Sequence, residues 1–152
     1  MSKIVINWQP GVTKINNMIL EDIEALDQKG FYLLMGGLPY KSKITYERIK
    51  PIYLGASFNQ SIRDDLLGYP DKNECVKQFM DAYYKIDLLF VCGILEQPTA
   101  KEIRSNNIQK TKLKLIKQIH LSCNELPTKA NNNLEIEHTG MYNPLNKNRE
   151  RI

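Results

Sequence analysis

The sequence predicts an α/β (α+β) fold, in which a small three-stranded, mainly antiparallel central sheet is flanked by helices. Three observations predict it. Two short runs of strand formers, residues 31–35 and 51–56, are separated by a polar stretch; the run at 85–95 is nearly all apolar and reads as a central strand buried on both faces; and apolar residues recur at helical spacing around that run. At 152 residues, with 42% hydrophobic and 25% charged residues, the chain is sized for one globular domain. Such a domain buries a core without needing disulfides or a structural metal.

In chain order, residues 3–8 read as a short β segment ended by Pro10 and Gly11. Thr13 is placed to cap a helix in which Ile15, Met18, Ile19, Ile23 and Leu26 recur at helical spacing, while Glu21, Asp22 and Glu24 face water. Residues 1–29 are thus a strand and a helix leading into a core at 30–146, and 147–152 form a charged tail. The run 31–35 stops at Gly36 and Gly37, and an extended loop at 38–50, carrying Tyr40, Lys41, Lys43, Tyr46, Arg48 and Lys50, leads to the second strand. Residues 59–67 read as a short helix ended by Gly68 and Pro70. A second, amphipathic helix at 72–84 keeps Cys75, Val76, Phe79, Met80 and Tyr83 on its apolar side. After the central strand and Pro98, residues 99–123 are mostly helical, with Leu113, Ile116 and His120 in an apolar stripe. The asparagine-rich stretch 124–134 reads as a surface loop.

The net charge of +4 permits nucleic acid as a partner without demanding it. Its distribution is more telling. Between positions 101 and 117, Lys101, Arg104, Lys110, Lys112, Lys114 and Lys117 stand against the single acid Glu102, so one local face can neutralise several phosphates. The plain alternative is a solvated helix surface. Cys75, Cys92 and Cys123 are odd in number and widely spaced, which argues against a disulfide framework and a cysteine zinc site. Cys92, inside an apolar run, reads as a buried reduced thiol. The N-terminal apolar stretch is too short for a signal sequence and no segment reaches membrane-spanning length, so a soluble cytoplasmic protein with no membrane partner is expected. Phosphate-loop, dinucleotide, zinc-protease and serine-hydrolase motifs are absent.

Gly30-Phe31-Tyr32 on the first strand, Tyr53-Leu54-Gly55 on the second, and Arg63 ten residues after Tyr53 form the constellation with most chemical content. It resembles the GIY-YIG nuclease family, over roughly residues 30–146. The resemblance implies a metal-dependent DNA endonuclease, of restriction or mobile-element type, using Mg2+ or Mn2+. It implies that Tyr53 activates water with Tyr32 as partner, that Arg63 contacts the phosphate, and that a C-terminal helical glutamate anchors the metal. Glu137, followed by His138 and then by Pro144, Leu145 and Asn146, fits that glutamate first, Glu135 second and Glu96 third. Thr139 and Gly140 replace the apolar residues expected after it, and Leu67 stands where a histidine or tyrosine commonly follows the arginine. That role is then vacant, or falls to Tyr69, Tyr40, Tyr46, Lys43 or Lys50.

Phosphodiester hydrolysis needs a base, a cation and a carboxylate for the metal, and these residues supply each type. A tyrosine with a pKa of about 10 is a poor base at neutral pH unless nearby cations favour its phenolate. DNA contacts would fall on Lys41, Lys43, Lys50, Lys110, Lys112, Lys114 and Asn146, and cutting both strands with one site per chain favours a homodimer or sequential nicking. The alternative is a catalytically inactive nucleic-acid-binding module of the same fold. A third reading is a small scaffold protein in which the tyrosine tripeptides are coincidence.

Overall fold

Alternation along two strands builds the molecule. The computed structural model describes residues 2–15, 23–39, 46–83, 85–125 and 134–145. In β2 (Gly30–Pro39), Phe31, Leu33 and Met35 point to one side while Tyr32 and Leu34 point to the other. In β4 (Asp87–Gln97), Leu89, Val91 and Leu95 share the first side, and Leu88, Phe90, Cys92 and Ile94 the second. Successive strand side chains face opposite ways, so a continuous apolar run demands cover on both faces.

Helices supply that cover. On the first face, α3 (Ser105–Ile119) lays Leu115, Ile116 and Ile119 against the sheet. On the second face, a 3-10 turn (Glu24–Asp27), α1 (Ile62–Leu66) and α2 (Glu74–Ala82) bring Leu26, Ile62, Leu66 and Val76. The side chains of Ser61 and Asn73 cap α1 and α2, accepting from the backbone N–H of Asp64 and Val76.

The sheet itself corrects the expected three-stranded antiparallel architecture. It is a curled, mixed, five-stranded sheet in the order β3-β2-β4-β1-β5, with β1 (Ser2–Lys14), β3 (Tyr46–Ser57) and β5 (Leu134–Gly140). β1 runs antiparallel to β4 and parallel to β5, which is the single parallel pair. Two features of the sheet account for the difference. Pro10 and Gly11 were expected to end the first strand, but the ladder absorbs them in an irregularity between Gln9 and Thr13, so β1 continues to Lys14 where a helix was expected to start. The motif around Glu137 was expected on a helix, but residues 134–140 alternate and pair with residues 2–8 of β1. Both are long-range pairings that no local period announces.

Further differences are smaller. β3 begins at Tyr46, inside the stretch read as a loop, and α3 starts at Ser105, later than position 99. His120, expected in the packed stripe, is the exposed left-handed residue ending α3. Cys75 and Cys123 form a disulfide across 48 residues with a Cα–Cα distance of 5.5 Å, although the odd, wide spacing argued against a disulfide framework. It joins the first turn of α2 to the segment after α3, two places whose proximity exists only in the folded chain. Cys92 is buried as expected, and burial pushes its thiol up to about 12. Among the described residues, no helix is long and apolar enough to cross a membrane.

Candidate nucleic-acid interface

Tyr32 and Tyr53 do come together. Tyr32 lies opposite Gly55, and Leu34 opposite Tyr53, so both tyrosines project from the second face of neighbouring strands, with ring centroids 6.4 Å apart. Tyr69, from the turn after α1, completes a cluster: its ring centroid is 6.1 Å from that of Tyr32 and 6.3 Å from that of Tyr53. The Tyr32 and Tyr69 hydroxyls are hydrogen bonded at 3.0 Å. The glycine of the second tripeptide has a packing role here, because a Cβ on Gly55 would fall on the phenol ring of Tyr32.

The electrostatics of this cluster oppose base chemistry at Tyr32. Its side chain is 4% exposed, and burial first, then the bond to Tyr69, drives its pKa far above the ordinary phenol value. Burial also pushes Tyr69 up to about 12. The nearby carboxylate of Asp65 raises both further, while the Lys72 ammonium stands 5.4 Å over the Tyr69 ring.

Arg63 is engaged elsewhere. Its Nε donates to Asp27 at 3.1 Å and its Nη2 donates to the Ile23 carbonyl at 2.9 Å, clamping α1 to the 3-10 turn. Its Nη1 is buried with no hydrogen-bond partner among the described residues. Glu137 lies on β5, three strand steps from Tyr32, which is roughly 14 Å across the sheet. The carboxylate is half exposed and pairs with Lys3 at 3.4 Å. The neighbouring His138 faces the opposite way: its Nδ1 accepts a 2.9 Å hydrogen bond from the Trp8 indole, its ring stacks on Trp8, and burial lowers its pKa.

These residues do not fit a divalent metal beside the tyrosines. Among the described residues, no group of three or more histidine, cysteine, aspartate or glutamate side chains is arranged to hold one. Asp65, the carboxylate nearest the cluster electrostatically, is 3.8 Å from the Lys72 ammonium, which already balances its charge. Glu135 is exposed on β5, and Glu96 is exposed near the end of β4.

The basic residues divide by position. Seven residues of helix advance roughly 700°, so Lys110 and Lys117 share one face of α3, and both are exposed. Neither has a carboxylate within 4.0 Å among the described residues. Lys114 differs, since its ammonium donates to the Leu134 carbonyl and ties β5 to α3. Lys112 turns towards the end of β3, where it lines a recess of about 310 Å³ with Ala56, Phe58 and Asn59. Lys50 lies half-buried on β3 opposite Gly36, at the other end of that strand. Lys41, Lys43 and Asn146 lie outside the described residues.

Phe58 and Lys29 were not singled out in the sequence. Phe58 follows β3 between polar residues and belongs to no apolar period, and Lys29 is a lone lysine before β2. Both line a second recess of about 570 Å³, together with Lys101. The clustering of lysines after position 100 pointed to half of this surface; the other half arises from strand ends meeting. In the comparisons, no family model, curated protein sequence or solved structure matches the chain.

Proposed function

We propose that this chain binds nucleic acid through the outer face of α3 and acts as a binding module rather than as a nuclease. The observation carrying this reading is the helix itself: Ser105–Ile119 contains four lysines and no acid, and Lys110 and Lys117 stand exposed with no carboxylate partner among the described residues. Unpaired cations on a rigid helix attract phosphates and release their condensed counterions, which gives salt-sensitive affinity with little sequence preference. The separation of Glu137 from the tyrosines, and the engagement of Arg63 with Asp27, weigh against assembly of a hydrolytic site.

A metal-dependent endonuclease is the second reading, favoured by the adjacency of Tyr32 and Tyr53 on neighbouring strands. Incubating supercoiled plasmid with the protein and Mg2+ or Mn2+, alongside a gel-shift assay at low salt, separates the two. The binding reading expects retarded DNA and intact plasmid. Metal-dependent nicking that disappears in Tyr53→Phe would reverse the order of the two readings.

A further inference from the structure

Resting on the nucleic-acid reading, we infer that the paired recesses around Phe58 take an unpaired nucleobase, making the chain selective for single-stranded nucleic acid. The two recesses, of about 570 and 310 Å³, share Phe58 as a common wall. Both volumes fall in the range of roughly 300–1,000 Å³ typical of small-ligand sites. Lys29 and Lys101 line the larger recess and Lys112 the smaller. None of the three has a carboxylate within 4.0 Å among the described residues. An aromatic side chain between two sets of cations is the arrangement that stacks a base while holding the phosphates on either side of it.

The walls are held in place before any ligand arrives. The Ser57 hydroxyl lies 3.0 Å from both the Gln60 and the Ser61 carbonyl oxygens, fixing the turn that carries Phe58. The Phe58 ring rests edge-on against Phe31, with centroids 5.2 Å apart. On the opposite wall, the Glu102 carboxylate accepts from the Thr99 N–H at 3.1 Å and from the Thr99 hydroxyl at 2.7 Å, fastening the turn that presents Lys101. These bonds favour the ionised form of Glu102 and hold its pKa below the usual carboxylate value. Asn59 and Gln109, on the rim of the smaller recess, offer amides for base edges.

A duplex keeps its bases stacked on one another and reaches only the lysines, whereas a single strand gains the Phe58 contact as well. Fluorescence anisotropy with a short oligothymidylate, an oligouridylate and a matched duplex measures the difference. Tighter binding of the single strands is expected, DNA and RNA differing only through the 2′-hydroxyl. Phe58→Leu, which keeps apolar bulk over Phe31, is expected to weaken single-strand binding by about five-fold to a hundred-fold and leave duplex binding unchanged. Lys101→Gln is expected to flatten the salt dependence for single strands by about 0.7 in log–log slope. Because Phe58 also packs, photo-crosslinking of a 5-iodouracil oligonucleotide to the wild-type protein gives a readout that no variant can confound, and the crosslinked peptide is expected to contain Phe58. Equal binding of single strand and duplex, with no crosslink at Phe58, would overturn the groove while leaving nucleic-acid binding through α3 intact. No retention of any oligonucleotide at low salt would remove the underlying reading as well.

Discussion

At the residue scale, the tyrosine pair shows how a chemical motif and a packing motif can share letters. Tyr32, Tyr53 and Gly55 do meet, but the glycine makes room for the Tyr32 ring and the phenol bonds to Tyr69. Gly55→Ala is therefore expected to destabilise by about 1–3 kcal/mol, as overpacking does, whereas Tyr32→Phe removes one hydrogen bond at a cost of about 1 kcal/mol. Urea denaturation measures both, and the reverse ranking would contradict this account. The proximity of the two tyrosines was legible in their strand spacing. The burial of Tyr32 was not, because Tyr69, which packs on it and bonds to it, comes from the turn after α1. His138 makes a second residue-level case. Its buried ring has a lowered pKa, so the unfolded chain binds the extra proton first; the stability it contributes is complete above about pH 6.5 and is lost as pH falls through the folded value. Protonation also puts a proton on the nitrogen that accepts from Trp8. Emission of Trp8, the sole tryptophan, is expected to fall on acidification with a midpoint below 6.5, and to stay flat in His138→Gln.

At the element scale, the outer edge of the sheet is the informative place. β3 is an edge strand, and an open edge invites pairing with other chains. The segment after α3 covers part of it: the Asn124 side chain accepts from the Leu54 N–H at 2.7 Å and donates to the Leu54 carbonyl at 3.0 Å, and the Cys123 N–H donates to the Ile52 carbonyl at 2.8 Å. The Cys75–Cys123 disulfide anchors that cover to α2. Replacing both cysteines by serine is expected to lower stability by about 2–4 kcal/mol, read by thermal or denaturant unfolding, and to increase self-association. Unchanged stability would mean that Asn124 holds the edge alone. None of this was visible in the cysteine spacing, since both partners lie in polar surroundings far apart in sequence. The helix periods of α2 and α3 and the apolar run of β4 were legible, because each carries its signal within its own length. The parallel pairing of β5 with β1 was not, because its seven residues alternate only in the context of a strand more than 130 positions away.

At the scale of the whole molecule, the fold separates what the sequence motif would unite. Carboxylate, arginine and tyrosines lie on β5, α1 and the β2–β3 pair, with Glu137 held by Lys3 and Arg63 by Asp27. The lysines of α3 themselves divide between faces, Lys110 and Lys117 standing outward and Lys112 lining the smaller recess beside Phe58. The central claim is that Lys110 and Lys117 bind phosphates, and one measurement tests it most directly. The affinity for a matched duplex is followed across a salt series for the wild type and for Lys110→Ala combined with Lys117→Ala. The account predicts linear weakening of log affinity with log salt, with a slope shallower by about 1.8 in the double variant, which corresponds to about 0.9 per lost phosphate contact. Identical slopes for the two proteins, or no binding at low salt, would contradict it.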